Sequence, residues 1–371
     1  MRIDRAVLRE LRLELREFFE ISSGGMQERR VALLTLFDSD GCVGWGECVA
    51  AERPNYTSET TDTAWQVLTD RVLPAIVGTE WERPEEVLAP VNWIREHRMA
   101  LASVEMGAWD LWSRSKGIPL AGALGGDETR PKVPVGVSVG LKPTDEELVE
   151  AVSGYVEAGY ARVKLKIKPG RDLTTLARVR ERFPDLQLMA DANSAYSLAD
   201  AARLVEIDAL DLTMIEQPLA FDDYLEHAAL QRKLSTPVCL DESIRSVRDV
   251  RLALELGSCR IVNIKPGRVG GLGESLRIHD LMRLRGLPVW CGGMLETGIG
   301  RAHNLALASL PGFTLPGDIS ESRRYWVRDI VAPEFVMDGG EMHVPTGPGM
   351  GVEVDTERVR SLTTRRAEFR A

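Results

Sequence analysis

The stretch from residue 163 to residue 267 decides the fold, because five short apolar segments within it each end in an ionisable residue. The segments are VKLKIKPG (163–170), MADAN (189–193), MIEQP (214–218), CLDES (239–243) and NIKPG (263–267). Their ionisable residues are Lys166, Asp191, Glu216, Asp241 and Lys265, spaced by 25, 25, 25 and 24 residues. Because each interval accommodates one strand and one helix, the spacing predicts repeating β-α units around a parallel sheet.

The same β-α pattern continues on both sides of this stretch. Strand-like segments lie at 133–139, 161–167, 186–190, 212–215, 237–240, 260–264 and 287–291, with an eighth near 313–315, and helical patterns such as 144–158 and 172–182 separate them. So many strands favour a closed α/β barrel over an open doubly wound sheet. In such a barrel, functional groups gather at the C-terminal ends of the strands, where the five ionisable residues stand.

The N-terminal segment has a different, α+β character. Residues 31–37 and 42–47 are strand-like and flank a turn signal, so a hairpin is predicted. Residues 99–116 carry apolar side chains at helical spacing and end before Gly117, which predicts a helix. A chain of 371 residues is long enough for two structural units.

Composition and charge exclude several classes of protein. The chain has 46 Lys and Arg against 56 Asp and Glu, a formal charge of -10, which argues against a nucleic-acid partner or an acidic membrane surface. We find neither a secretory signal nor an apolar run of about 18 residues. The five cysteines follow no disulfide or zinc pattern, so we expect reduced thiols and a cytoplasmic protein.

Three carboxylates in phase predict a metal site. Any one of Asp191, Glu216 and Asp241 alone could cap the helix that follows it. On neighbouring barrel strands, however, all three approach one another closely, and their repulsion is costly unless a cation neutralises it. Oxygen ligands without His or Cys favour a hard divalent ion, with Mg²⁺ first and Mn²⁺ second.

The lysines indicate acid-base chemistry. Lys164 and Lys166 are two residues apart on a strand, so both side chains point to the barrel interior, while the apolar residues between and beside them face the helices. A second lysine and a metal both disfavour the charged form of Lys166, which can then accept a proton. Lys265 lies across the barrel mouth. The pattern therefore predicts a base and an acid on opposite faces of a carboxylate substrate that loses its α-proton.

Further motifs extend along nearly the whole chain. They are GWGEC (44–48), VGVSVG (135–140), DANSAYS (191–197), IEQPLA (215–220), LDES (240–243), NIKPGRVGG (263–271), WCGGMLETGIGRAHN (290–304) and LPGD (315–318). With the Lys-x-Lys pair and the distant lysine, they resemble the muconate-lactonising subgroup of the enolase superfamily. Within it, they resemble the family of o-succinylbenzoate synthases and N-acylamino acid racemases.

This resemblance implies an architecture and residue roles. It implies a (β/α)7β modified TIM barrel at 127–325 and an α+β capping domain at 1–126 that the segment 326–371 completes. Lys166 and Lys265 would be the acid-base pair beside Lys164, and Asp191, Glu216 and Asp241 the metal ligands. The implied substrate contacts are Ser138, Asn193, Gly293, Met294, Tyr56 and Phe19. Arg268 resembles a position associated with racemase activity, where its charge would lower the pKa of Lys265. A symmetric homo-oligomer is also implied.

The resemblance implies dehydration to o-succinylbenzoate, a menaquinone precursor, and racemisation of N-succinyl or other N-acylamino acids. Alternatives are a muconate-type cycloisomerase, a dipeptide epimerase or a metal-binding barrel without catalysis. The Asp-x-Asp pattern of dipeptide epimerases is broken at 318–320. Met294 stands where mandelate-type members carry a His. The intact lysines argue against a barrel without catalysis.

Overall fold

The computed structural model describes residues 1–21, 24–127 and 129–371, and the side chains of residues 19–24 lie outside that description. The strands are β1 (Arg5–Ile21), β2 (Gly24–Phe37), β3 (Val43–Cys48), β4 (Lys132–Pro134), β5 (Gly136–Val139), β6 (Arg162–Lys166), β7 (Leu188–Asp191), β8 (Ile215–Glu216), β9 (Val238–Leu240), β10 (Ile261–Ile264), β11 (Val289–Cys291), β12 (Val331–Ala332), β13 (Met337–Asp338), β14 (Glu341–His343), β15 (Glu353–Val354) and β16 (Thr363–Arg370). The α-helices are α1 (Thr61–Val67), α2 (Leu73–Ile76), α3 (Arg98–Lys116), α4 (Leu120–Ala123), α5 (Asp145–Glu157), α6 (Leu173–Arg182), α7 (Ala201–Val205), α8 (Tyr224–Gln231), α9 (Val247–Leu256), α10 (Pro266–Val269), α11 (Leu272–Leu284), α12 (Gly298–Ala308) and α13 (Thr356–Leu362).

Strands β5 to β11 form one parallel sheet whose spatial order follows the chain. Two isolated bridges close this sheet into a barrel: Phe313 pairs with Val289 of β11, and Gly317 pairs with Val135 beside β5. Residues 313–317 therefore occupy the place of the predicted eighth strand. The pairing there is reduced to single bridges, because Pro316 has no N–H to donate to a ladder. The predicted (β/α)7β barrel is confirmed.

One predicted strand is wrong in its extent. Residues 133–139 divide at Val135, whose N–H donates to Gly340 O, whereas the next N–H, of Gly136, donates to Gly317 O. The chain thus changes its pairing partner within two residues. Strand β4 joins β13 and β14 in a separate antiparallel sheet, and β5 alone enters the barrel.

The cap is a four-stranded antiparallel sheet in the order β16, β1, β2, β3. The predicted hairpin is confirmed, since Phe37 of β2 pairs with Val43 of β3. Strand β1 was missed, although Leu11, Leu13 and Leu15 are buried and the residues between them are exposed. This alternation is the signature of a strand with one buried face.

Helix α3 confirms the predicted helix at 99–116. Its backbone packs very close to the backbone of β3. A Cβ atom added to Gly46 would lie 1.8 Å from Ser103 O, and one added to Gly44 would lie 2.3 Å from Gly107 O. Only glycine fits at these two positions, which explains the Gly-x-Gly spacing in GWGEC. Within the described ranges, no helix has both the length and the apolar character that a membrane crossing requires.

Candidate active site

The C-terminal rim of the barrel brings the five ionisable residues together. Asp191 pairs in register with Lys166 on one side and with Glu216 on the other. Asp241 directly follows β9, and Lys265 directly follows β10. All five side chains are buried, and their exposed fractions range from 0% to 9%. Charges buried to this degree must be paired with one another or with a bound ion.

Lys164 lies inside the barrel, below the rim. Its Nζ lies 2.6 Å from Asp318 Oδ2, 3.0 Å from Glu216 Oε2 and 3.2 Å from Asp191 Oδ2. Burial acts to lower the pKa of Lys164, but the three carboxylates outweigh burial and raise the pKa above the ordinary lysine value. Lys164 is therefore a fixed cation that holds Asp191 and Glu216 close to one point.

Lys166 also points inward, as its two-residue spacing from Lys164 predicted. Its Nζ donates to Asp191 Oδ2 at 2.6 Å and to Asn193 Oδ1 at 2.8 Å. The Asn193 amide in turn donates to Glu242 Oε1 at 3.0 Å. Asn193 has a positive φ of 42°. Such a backbone conformation is uncommon outside glycine but is tolerated by Asn, and it orients the amide toward the lysine.

Lys265 faces the rim from the opposite strand. Its Nζ donates to Asp241 Oδ2 at 2.8 Å and to the Tyr56 hydroxyl at 3.1 Å. Burial acts to lower the pKa of Lys265, but Tyr56, Glu216 and Glu242 outweigh it and raise the pKa.

Arg268 lies in the same cluster. It contacts Asp241 Oδ1, and its Nη1 donates to the Tyr56 hydroxyl at 3.1 Å. Asp241 is thus shared between Lys265 and Arg268, and the effect of the Arg268 charge on the pKa of Lys265 stays a prediction.

The chemistry of the rim fits a hard divalent cation. Asp191 and Glu216 converge on a single ammonium group, and burial together with the charge of Asp191 raises the pKa of Glu216 to about 7. A further cation beside these two carboxylates would keep both ionised. Nearby, Glu242 Oε2 and Asn263 Oδ1 are buried without a hydrogen-bond partner among the described residues. Asp241 instead turns toward Lys265 and Arg268, and in the described part of the chain no three His, Cys, Asp or Glu side chains meet as a metal cluster.

A cavity of about 310 Å³ opens above the lysines, between barrel and cap. Its lining includes the following residues of the predicted site: Tyr56, Ser138, Lys164, Lys166, Asn193, Lys265, Gly293 and Met294. Strand β2 and the segment after β3 supply its cap side. The predicted contact of Phe19 lies outside the described side chains.

Sequence reasoning missed three polar residues of the site. Asp318 neutralises Lys164, Glu242 accepts from Asn193, and Asn263 Nδ2 donates to Glu216 Oε1 at 2.6 Å. For Asn263 a signal was present, because it stands two residues before Lys265 and so shares its face of the strand. For Asp318 no local pattern predicts the contact, since 154 residues separate it from Lys164.

Comparison with known proteins agrees with this geometry. Residues 147–359 match the model "Enolase C-terminal domain-like", and residues 4–125 match the N-terminal domain of mandelate racemase and muconate lactonizing enzyme. The chain is 50% identical over 361 residues to an o-succinylbenzoate synthase of Geobacillus stearothermophilus, covering 97% of this chain and 96% of the relative. It is 50% identical over 366 residues to an N-succinylamino acid racemase of Thermus thermophilus, covering 98% of both.

A solved structure gives the same result. The crystal structure of an enolase superfamily member from Listeria innocua superposes with a TM-score of 0.96 at 42% identity, covering 100% of this chain and 99% of the other. Members of this superfamily generally depend on a divalent metal ion. The chain therefore belongs to the enolase superfamily, in the family that contains the o-succinylbenzoate synthases and N-succinylamino acid racemases.

Proposed function

We propose that this enzyme removes the α-proton of a carboxylate substrate, with Mg²⁺ as its metal ion and Lys166 and Lys265 as its acid-base pair. The observation that carries the proposal is the placement of the two lysines. They line one cavity and stand on β6 and just after β10, four strands apart around the barrel. A planar carbanion held between them is accessible to one ammonium on each face.

The contacts of each lysine support its role. In its neutral form Lys166 accepts the α-proton at Nζ, and Asp191 and Asn193 then stabilise the ammonium that forms. Lys265, held as an ammonium by Asp241 and Tyr56, delivers a proton to the opposite face. Asp191, Glu216 and Asp241 would hold the metal ion, which supplies Lewis-acid stabilisation of the negative charge on the substrate carboxylate.

The substrates of the two relatives suggest two reactions for this chain. Dehydration to o-succinylbenzoate needs Lys166 alone, if the proton and the hydroxide leave from one face. Racemisation of an N-succinylamino acid needs both lysines. We propose that the enzyme performs both reactions, because both start with the same α-proton removal and both substrates carry a succinyl arm.

Deuterium exchange tests this proposal. The enzyme is incubated with N-succinyl-L-phenylalanine and Mg²⁺ in D2O, and α-deuterium and optical rotation are followed, beside an assay for o-succinylbenzoate formation. We expect exchange, racemisation and product formation, each abolished by a chelator and restored by added Mg²⁺. If the enzyme with Mg²⁺ gives no α-deuterium exchange and forms no o-succinylbenzoate, the proposed function is falsified.

A further inference from the structure

Glu59 is a buried carboxylate of the cap that holds the start of helix α3. Its exposed fraction is 6%. Its Oε2 accepts from the Met99 N–H at 2.8 Å, and its Oε1 accepts from the Ala100 N–H at 2.8 Å. The first N–H groups of a helix have no partner within it, and the residue before α3, His97, supplies no side-chain cap. Glu59 therefore does for α3 what a side-chain N-cap does for other helices, from 40 residues earlier in the chain.

Glu59 belongs to a segment, residues 49–60, that also forms part of the cavity wall. All of these residues lie in the described ranges, and their backbone connects β3 to α1 with a single isolated bridge, between Ala51 and Thr60. Hydrogen bonds from Arg29 fix the beginning of the segment, whereas Glu59 fixes its end. Because the segment has so little backbone pairing of its own, its position depends on these two anchors.

Tyr56, three residues before Glu59, extends from this segment to the barrel rim. Its hydroxyl accepts from Lys265 Nζ at 3.1 Å, and this Nζ lies 4.7 Å from the centre of the Tyr56 ring. Lys166, by contrast, donates to two residues of the barrel. A shift of the segment therefore changes the surroundings of Lys265 directly, whereas Lys166 keeps its own partners.

The start of α3 supports Lys265 from a second direction, through α10. Helix α10 follows Lys265 directly, and Arg98 at the start of α3 donates from Nη1 to the carbonyl of the last residue of α10 at 3.3 Å. A Cβ atom added to Gly267 of α10 would lie 2.4 Å from Val49 Cγ2, so the same helix also packs tightly on the segment 49–60. Glu59 joins these two supports of α10, because it lies in the segment and binds the first N–H groups of α3.

We propose that Glu59 is a positioning residue for Lys265. By capping α3, it holds Tyr56 and α10 in the places that set the orientation of the Lys265 ammonium toward the substrate. This inference rests on the proposed function, in which Lys265 serves one face of the carbanion and Lys166 the other. Loss of the cap should therefore impair proton transfer at one face only, because a small misplacement of an acid-base group slows its own step strongly.

Hydrogen exchange at the substrate α-carbon tests the proposal one face at a time. The rate of exchange in D2O is measured with Mg²⁺ for N-succinyl-L-phenylalanine and for its D-enantiomer, and Lys265→Ala identifies the enantiomer that Lys265 deprotonates. The pH is 8, because burial raises the pKa of Glu59 to about 7 and its carboxyl is then ionised. We expect Glu59→Gln to lower kcat for that enantiomer by about tenfold or more and to leave kcat for the other within about twofold.

Glu105→Gln is the matched control. Glu105 is also a buried glutamate, it accepts from two N–H groups at the start of α11, and burial raises its pKa to about 7 as well. Its replacement should cost a similar amount of stability but change the exchange of both enantiomers to the same extent. Glu59→Asp keeps the charge on a shorter side chain, so it should show the selective loss to a smaller degree, and it replaces Glu59→Gln if that variant does not fold. Equal losses for both enantiomers, or no loss, in the Glu59 variants would overturn the inference.

Amide hydrogen exchange separates this inference from the proposed function, since it needs no substrate. Mass spectrometry should show faster amide exchange in residues 49–60 and in the first turn of α3 for Glu59→Gln, but not in β6, which carries Lys166. If the wild type exchanges the α-proton of neither enantiomer, the proposed function fails, and amide exchange still decides whether Glu59 fixes the surroundings of Lys265. Unchanged protection of residues 49–60 in Glu59→Gln would show that other contacts hold Tyr56 in place and would contradict the inference.

Discussion

At the scale of single residues, the two rim lysines differ in their partners although both are buried cations. Lys166 is held by a carboxylate and an amide, whereas Lys265 is held by a carboxylate and the Tyr56 hydroxyl, under the ring of Tyr56 at 4.7 Å. The partners of Lys265 thus include a residue of the cap. Its role therefore depends on the two parts of the molecule being in contact.

Removing each lysine should separate the two reactions. We expect Lys166→Ala to lower both dehydration and racemisation by roughly 10²–10⁴-fold, because both need the same proton removal. Lys265→Ala should abolish racemisation and leave o-succinylbenzoate formation within about tenfold of the wild type. Lys168→Ala is a matched control, since Lys168 is exposed just beyond β6. If Lys265→Ala racemises the substrate at the wild-type rate, Lys265 is not one of the two acid-base residues.

At the scale of elements, buried glutamates join the cap to the barrel by capping helices. Glu105 of α3 accepts hydrogen bonds from the N–H groups of Leu272 and Gly273 at the start of α11. Glu47 of β3 does the same at the start of α12, where it accepts from Thr297 and Gly300. The first N–H groups of a helix have no partner within it, and they carry a partial positive charge. Each glutamate therefore couples a cap element to a barrel helix.

The pH dependence of stability should report on Glu105. Burial raises its pKa from 4.5 to about 7, although the N–H donors of Gly273, Leu272 and Trp109 oppose the shift. A carboxyl whose pKa is higher in the folded state than in the unfolded state adds to the free energy of unfolding while it is protonated. For Glu105 this contribution is complete below the ordinary pKa of 4.5 and is lost as the pH rises through the folded-state pKa of about 7. We expect the stability difference between wild type and Glu105→Gln, measured by urea unfolding, to fall by about 2 kcal/mol from pH 5 to pH 8.

An exposed residue provides the control for this measurement. Glu28 on β2 is exposed, so Glu28→Gln should follow the pH dependence of the wild type. If Glu105→Gln also follows it, the carboxyl of Glu105 does not titrate in this range, and the N–H donors rather than burial determine its pKa.

At the scale of the whole molecule, the C-terminal strand ties the end of the chain to its beginning. Strand β16 pairs with β1 from Arg5↔Arg370 onward, and Arg365 lies over the ring of Trp65 at 4.2 Å. The rest of the segment 326–371 is divided, since β14 pairs with β4 beside the barrel.

The domain boundaries at 126 and 326, the homo-oligomer and the cytoplasmic location stay predictions. The predicted family is confirmed by relatives that are themselves enzymes.

Truncation tests the contribution of β16. Deleting residues 363–371 exposes the edge of β1 and removes the packing of Phe369 on the cap core. We expect the unfolding free energy to fall by more than about 2 kcal/mol and KM to rise more than kcat falls, because the cap lines the cavity. Thermal denaturation followed by circular dichroism measures the loss of stability. Arg366→Ala, an exposed position on the same strand, is the control. A truncated enzyme that melts with the wild type would show that the cap is stable without this strand.

The sequence by itself determined the barrel and the residues at its rim. The apolar segments, their 25-residue spacing and the two-residue step from Lys164 to Lys166 are local patterns, and local backbone geometry converts them directly into strands with known faces. Only the tertiary structure decided which partner each charge takes. Tyr56 contacts Asp241 across 185 residues, and Lys164 forms an ion pair with Asp318, which lies on the far side of the barrel sequence. Such contacts depend on how distant elements pack, and no local spacing encodes that packing.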